Sequence, residues 1–144
     1  MRTAAGGGQQ WRSSATHASA ACVRRFGGVD LLVNVVGVIS PAGLADTTEE
    51  VWRRTMDVNA TSMFLTCKHA VPFMLKAGGS SIVNIGSLSS VRHVRPEIAY
   101  STSKAAVNAL TTSVALEYAK MYIRSRAPSV AGRHTRAPLA SSGR

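Results

Sequence analysis

Residues 81–104 read SIVNIGSLSSVRHVRPEIAYSTSK, and this stretch decides the fold. It opens with an apolar run, residues 81–86, which is typical of a buried strand. It closes with Tyr100 and Lys104 at the start of a helix-forming run. Ser87 lies between the two, directly after the predicted strand. The stretch therefore predicts a strand followed by a helix, with polar side chains able to do chemistry at the junction.

The spacing of Tyr100 and Lys104 gives them a possible joint role. Residues four apart project from the same face of a helix. A free phenol, with a pKa of about 10, is protonated at neutral pH, and a neighbouring ammonium favours its phenolate form. Such a phenol can act as a general acid or base at a carbonyl or alcohol oxygen. A nearby serine hydroxyl such as that of Ser87 can hydrogen-bond the same oxygen.

Working outward, the sequence predicts a second strand upstream. Residues 29–37, VDLLVNVVG, form an apolar run rich in valine and leucine, as parallel strands buried on both faces do. Residues 17–26 before it predict the end of a helix, which Gly27-Gly28 stops. The strand–helix–strand–helix order, with long crossovers, predicts an open α/β sheet. Ligands in such folds bind beyond the carboxyl ends of the strands.

Two long helices are predicted around these strands. Thr47 and Glu50 have the spacing of a capping box, so the first helix is expected to run from about residue 49 to 76, with Pro72 kinking it or limiting its last turn. The second is expected over residues 98–120. No strand is expected after it.

The order and spacing of Asn59, Ser87, Tyr100 and Lys104 resemble the catalytic tetrad of the short-chain dehydrogenase/reductase family. The resemblance covers roughly residues 18–120. It implies that Tyr100 is the acid/base, that Ser87 orients the substrate oxygen, and that Asn59 holds a proton-relay water. It further implies that Lys104 tunes the phenol and contacts the ribose of a nicotinamide cofactor, either NAD or NADP.

The segment Asn34-Val35-Val36-Gly37 is similar to the family's Asn-Asn-Ala-Gly motif at the end of a strand. The first and last residues match, and the two valines depart from it. The resemblance implies that Asn34 and Gly37, together with Tyr100 and Lys104, contribute to cofactor binding. No metal site is implied. The implied partners are a small-molecule alcohol or ketone and a second subunit, bound through helices 49–76 and 98–120.

The resemblance is partial at both ends. The family begins with a strand and a Gly-rich turn that cradles a pyrophosphate; Gly6-Gly7-Gly8 has no strand before it and is expected to be a flexible tail. After the last helix, Ser129 stands where the family has glycine. We therefore expect a partial, doubly wound (Rossmann-like) parallel sheet over residues 18–120, between disordered basic tails at 1–17 and 121–144. A truncated or misread coding frame would explain both ends.

Composition narrows the function classes. The 144 residues are 45% hydrophobic and 17% charged, which suits one globular domain. No apolar run approaches the ~20 residues of a membrane helix, and two cysteines without metal spacing suit a reduced, cytoplasmic protein. The net charge is +10, but residues 1–27 and 121–144 carry nine arginines and no acid, while residues 28–120 are nearly neutral. This distribution argues against nucleic-acid binding by the motif-bearing segment.

We consider three functions for this sequence. The first is an oxidoreductase of the short-chain dehydrogenase/reductase type, which transfers hydride between NAD(P)(H) and a carbonyl or secondary alcohol with Tyr100 as acid/base. The alternative is a catalytically inactive fragment that acts only by associating with a homologous subunit. The third, a basic nucleic-acid binder, predicts salt-sensitive binding that is lost when the two tails are removed.

Overall fold

The computed structural model describes residues 17–92 and 95–129. They form an α/β unit in which a three-stranded parallel sheet, in the order β1-β2-β3, is flanked by helices. This is the predicted fold class. The helices are α1 (17–26), α2 (Glu49–Met56), α3 (Ser62–Lys76) and α4 (Ile98–Tyr118), and the strands are β1 (Leu31–Asn34), β2 (Ser80–Asn84) and β3 (Ile123–Arg126).

The core lies between the sheet and helices α3 and α4. Ile82 on β2 and Ile123 on β3 are fully buried there, against Met74 of α3 and Val114 of α4. Burying one such aliphatic side chain stabilises the fold by about 1.5–3 kcal/mol. The core therefore fixes β2 between its neighbours, and with it the start of the loop that carries Ser87.

Strand β1 is less buried than the sequence predicts. Leu31 and Val33 are 56% and 48% exposed, and only Asn34 on this strand is fully buried. The expectation of a strand buried on both faces is wrong for the described residues, because the core packs against the face that carries Leu32, while Leu31 and Val33 lie on the opposite face. Its alternate side chains therefore face away from the helix-covered side.

A third strand follows α4, where none was expected. β3 pairs in parallel with β2, with Ile123 opposite Ser80. Beyond it, the Gly86 N–H donates to the Pro128 carbonyl over 3.1 Å. The segment holds only one large apolar side chain, Ile123, which alternates with arginines on the other face. It therefore has no apolar run from which a strand could be predicted. The domain boundary at residue 120 is therefore too early. Of the expected tails at 1–17 and 121–144, residues 1–16 and 130–144 lie outside the described residues.

The first long helix is interrupted. Between α2 and α3, residues Asp57–Thr61 form a π-helical turn, so the expected helix over 49–76 is two α-helices joined by a wider turn. Single π turns of this kind are frequent at functional sites. Pro72 does not end α3, which continues to Lys76 because Met74 and its neighbours in the last turn pack into the core.

The ends of this helical segment differ in detail from the prediction. The N-cap is Thr48, whose hydroxyl accepts from the Val51 N–H at 3.2 Å, whereas Thr47 donates to the Gly43 carbonyl at 2.6 Å. The predicted capping box does not form. The Thr47 hydroxyl is used by the preceding loop, and Val51, three residues after Thr48, has no side-chain acceptor to complete a box. No described helix has the length and apolarity needed to cross a membrane.

Candidate active site

The candidate residues meet at one end of the sheet. The chain leaves β1 through Gly37 and leaves β2 towards Ser87, both at carboxyl ends of parallel strands. Helix α4 begins beside them and carries Tyr100 and Lys104 in its first two turns. The π turn between α2 and α3 brings Asn59 to the same place. The topology alone thus gathers side chains that are far apart in the sequence.

Lys104 is the best-defined member of the site. Its side chain is buried, and its Nζ donates to the carbonyls of Ile85 at 2.9 Å and Val36 at 3.3 Å. These carbonyls follow β2 and β1, so one ammonium links the ends of both strands. Its Nζ also lies 6.0 Å from the centre of the Tyr100 ring. Burial lowers the pKa of Lys104 below its usual 10.5.

An ammonium has three N–H donors, and the two carbonyls use two of them. The third is available to a ligand hydroxyl.

Asn59 is fully buried and held at both ends of its amide. Its Oδ1 accepts from the Val38 N–H at 2.7 Å, and its Nδ2 donates to the Val38 carbonyl and to the Ser103 hydroxyl, both at 2.9 Å. Both N–H groups of the side-chain amide are therefore already used. A relay water at Asn59 would have to be held by an acceptor of this residue.

Gly37 lies between these two groups. A Cβ at this position would come 3.4 Å from the Lys104 Nζ and 3.7 Å from the Asn59 Oδ1. A side chain at this position would therefore contact both groups, and the glycine leaves the space beside the ammonium open. An open ammonium with a spare donor suits a sugar hydroxyl, so these residues fit the ribose end of a nicotinamide nucleotide.

The described residues supply less for the phosphates of such a nucleotide. Within residues 17–92 and 95–129, no strand passes through a glycine-rich turn into a helix N-terminus. Helix α2, which follows β1, begins with two acidic residues, Glu49 and Glu50, and these disfavour an anion at its N-terminus. The fit is therefore to the reacting end of the cofactor.

Ser87 is buried at the start of a short 3-10 turn, Leu88–Ser90. Its Oγ accepts from the Ser89 N–H at 3.2 Å, an interaction that leaves the hydroxyl hydrogen for another acceptor. Asn108 of α4 anchors the turn by donating to the Ser90 hydroxyl at 2.7 Å. The turn thus holds Ser87 against the helix that carries Tyr100.

Asn34 occupies a supporting position. Its Nδ2 donates to the Asn84 Oδ1 at 2.7 Å, and its Oδ1 accepts from the Thr66 hydroxyl at 2.8 Å. Asn84 in turn donates to the Thr111 hydroxyl at 3.0 Å. This buried network ties β1, β2, α3 and α4 together. Direct contact of Asn34 with a nucleotide stays a prediction, and the network does not favour it.

Several groups at the site were missed at the sequence level. The carbonyls of Val36, Val38 and Ile85 are main-chain acceptors, which leave no trace in residue type. Ser103 could have been predicted from the sequence, because a serine three residues after Tyr100 in a helix can hydrogen-bond the Tyr100 carbonyl, as it does here at 2.7 Å.

Known proteins are similar to this chain in both sequence and fold. A dehydrogenase of 2,5-dichloro-2,5-cyclohexadiene-1,4-diol from Sphingobium indicum is 37% identical over 112 residues, which are 78% of this chain and 45% of the relative. A 2-(R)-hydroxypropyl-CoM dehydrogenase from Xanthobacter autotrophicus is 43% identical over 113 residues, covering 76% and 45%. The chain therefore spans about half the length of the curated relatives it matches.

Solved structures of known proteins have a similar fold. A short chain dehydrogenase from Mycobacterium smegmatis superposes with a TM-score of 0.79 at 28% identity, over 83% of this chain and 50% of that one. The sequence profile of the short chain dehydrogenase family matches residues 9–137. Together with the site geometry, this match shows that the chain belongs to the short-chain dehydrogenase/reductase family.

Proposed function

We propose that this chain is an oxidoreductase that interconverts a carbonyl and a secondary alcohol, with NAD or NADP as the hydride carrier. The observation that carries the proposal is the Lys104 ammonium, buried beside the Tyr100 ring and held by carbonyls from the ends of two strands. A cation next to a phenol suits proton transfer by that phenol, because it attracts the negative charge that the transfer leaves behind.

In the reduction direction, Tyr100 donates its O–H to the substrate carbonyl oxygen, and the proton passes to that oxygen as the alcohol forms. Ser87 donates a second hydrogen bond to the same oxygen and orients it. The phenolate left on Tyr100 is stabilised by the Lys104 ammonium. When bound, a nicotinamide nucleotide supplies the hydride that the carbonyl carbon accepts.

The substrate class is supported by the relatives. Those named above are dehydrogenases of a cyclohexadiene diol and of a hydroxypropyl compound. Both names describe hydroxyl-bearing substrates, so we propose an alcohol, or the corresponding ketone, for this chain as well.

A second candidate function rests on a different observation. The described residues offer no phosphate cradle, and β1 exposes Leu31 and Val33 at the edge of the sheet. Both features suit the alternative, a catalytically inactive fragment that acts through association with a homologous subunit.

The decisive experiment is a titration of the purified chain with NADH and NADPH, followed by nicotinamide fluorescence. We expect saturable binding that Lys104→Ala weakens, because the ribose contact is lost. Tyr100→Phe should keep binding but lower turnover of an alcohol substrate by about 10²–10⁴-fold, the usual contribution of general acid–base catalysis.

Tyr118→Phe is the matched control, since it removes a phenol hydroxyl from the same helix outside the site. It should leave both binding and turnover unchanged. If the chain is folded by circular dichroism yet binds neither nucleotide, the oxidoreductase proposal fails and the associating fragment is favoured.

A further inference from the structure

Ser103 is a fully buried hydroxyl inside the motif that carries Tyr100 and Lys104, with no role assigned so far. It lies on α4, one turn after Tyr100 and next to Lys104. Its Oγ lies 2.9 Å from the Asn59 Nδ2 and 2.7 Å from the Tyr100 carbonyl oxygen. The same oxygen atom therefore touches the π turn and the first turn of α4.

The direction of both hydrogen bonds is fixed by chemistry. A carbonyl oxygen can only accept, so the single Ser103 hydrogen is donated to Tyr100. The Ser103 oxygen must then accept from Asn59, which turns the amide nitrogen towards α4. The hydrogen bonds with Val38 support the same orientation of the amide, because the Val38 N–H donates to the Asn59 Oδ1 and the Val38 carbonyl accepts from the Nδ2.

The buried Asn59 amide is thus held by three hydrogen bonds, two with the main chain of Val38 and one with Ser103. Only the bond with Ser103 links this amide to α4. Without the Ser103 hydroxyl, one N–H of a fully buried amide has no acceptor. A buried donor without a partner is costly, and the link between the π turn and the first turn of α4 is lost.

We infer that Ser103 is a positioning residue, which accepts the second N–H of the Asn59 amide and couples the π turn to the turn of α4 that carries Tyr100. Its kinetic consequence rests on the proposed function. Its structural consequence, the locked amide, does not.

The test compares Ser103→Ala with Ser103→Thr, which keeps the hydroxyl, and with Ser101→Ala. The last removes a buried hydroxyl from the same helix, outside the proposed machinery, and is the matched control. For Ser103→Ala we expect kcat to fall by about ten- to a hundred-fold, the scale of a small misplacement of reacting groups. The KM for the nucleotide should stay within about two-fold and the pH profile of kcat should move, because the π turn is no longer tied to the turn that carries Tyr100.

Ser103→Thr should restore most of kcat, and Ser101→Ala should not lower it. The inference is overturned if Ser103→Ala and Ser101→Ala have the same kcat and pH profile. If Ser103→Ala does not fold, Ser103→Cys replaces it, because the thiol is nearly isosteric and a weak acceptor.

A readout without turnover separates this inference from the proposed function. The side-chain NH2 signals of Asn59, assigned by their loss in Asn59→Ser, are followed in a ¹⁵N-correlated NMR spectrum. We expect Ser103→Ala to shift these signals and speed their exchange with water, and Ser101→Ala to leave them in place. If the wild-type chain shows no turnover, the proposed function fails, and unchanged Asn59 signals in Ser103→Ala would then overturn the inference independently.

Discussion

Burial shifts the pKa values of two ionisable side chains, Lys104 and Cys67, in opposite directions. It lowers the pKa of Lys104 below 10.5 and raises the pKa of Cys67 from 9.0 to about 11. The unfolded chain therefore binds more protons at Lys104, and the contribution of this residue to stability rises as the pH approaches 10.5. At Cys67 the folded chain binds more protons, so its contribution is fully present below pH 9.0 and is lost as the pH rises towards 11.

The loss at Cys67 can be measured. We expect the free energy of unfolding to fall by about 2 kcal/mol between pH 9 and pH 11 because of this thiol. Cys67→Ala should abolish that decline, although it lowers stability below pH 9 by creating a small cavity. Urea denaturation across this pH range checks the expectation. Cys22→Ala, at a partly exposed thiol, is the control, and identical pH slopes in the two variants would contradict the assignment.

At the residue scale, side-chain positions were more predictable than their partners. The spacing of Tyr100 and Lys104 and the match at Gly37 pointed to one site, and the structure brings these residues together with Asn59. The acceptors of the Lys104 ammonium could not be predicted, because they are carbonyls whose place depends on where two strands end. The orientation of Asn59 depends likewise on Val38, which no side-chain pattern identifies.

At the scale of elements, type was easier to predict than extent. Periodicity and glycines placed β2 and α4 to within two residues. The π turn at Asp57–Thr61 was missed, because it differs from an α-helix in hydrogen bonding and not in residue pattern. β3 was missed because its stability comes from main-chain pairing with β2 and from one buried side chain, Ile123.

The junction between α3 and β2 gives a prediction at this scale. Gly79 has φ of +138°, and a Cβ there would lie 2.9 Å from the Tyr122 Cβ and 3.0 Å from its carbonyl oxygen. The carbonyl accepts from the Ser80 N–H at 3.2 Å, so it cannot move without disturbing the start of β2 beside β3. We therefore expect Gly79→Ala to destabilise the fold by about 1–3 kcal/mol.

Thermal or urea unfolding checks this, with Gly28→Ala as the matched control. Gly28 also follows a helix and precedes a strand, but a Cβ there meets nothing within 4 Å and its φ is not positive. That variant should be neutral or more stable by up to about 1 kcal/mol. Equal melting temperatures for the two variants would show that the contact with Tyr122 is relaxed in solution.

On the scale of the whole molecule, the described residues expose apolar side chains in several places, and two of these places bear on association. One is the sheet edge at β1, where Leu31 and Val33 are about half exposed. The other is the helical side, where Leu116 of α4 is 76% exposed and Phe64 of α3 is 46% exposed. Exposed apolar side chains beside an unpaired strand edge favour association of open-ended type. A helix face suits a closed dimer, which we propose through the helices of residues 49–76 and 98–120.

Two lysine substitutions separate these surfaces. We expect Val33→Lys to suppress the growth of large species with concentration, since a charge on an edge strand opposes further pairing, and to leave any dimer intact. Leu116→Lys should weaken the dimer and leave the growth of large species unchanged.

Val91→Lys adds the same charge at a similarly exposed loop residue, 70% exposed, and controls for repulsion by added charge on a chain that already carries +10. Sedimentation velocity over a range of concentrations distinguishes dimers from larger species. If Val91→Lys suppresses the large species as well as Val33→Lys does, general repulsion governs association and the edge of β1 has no special part in it.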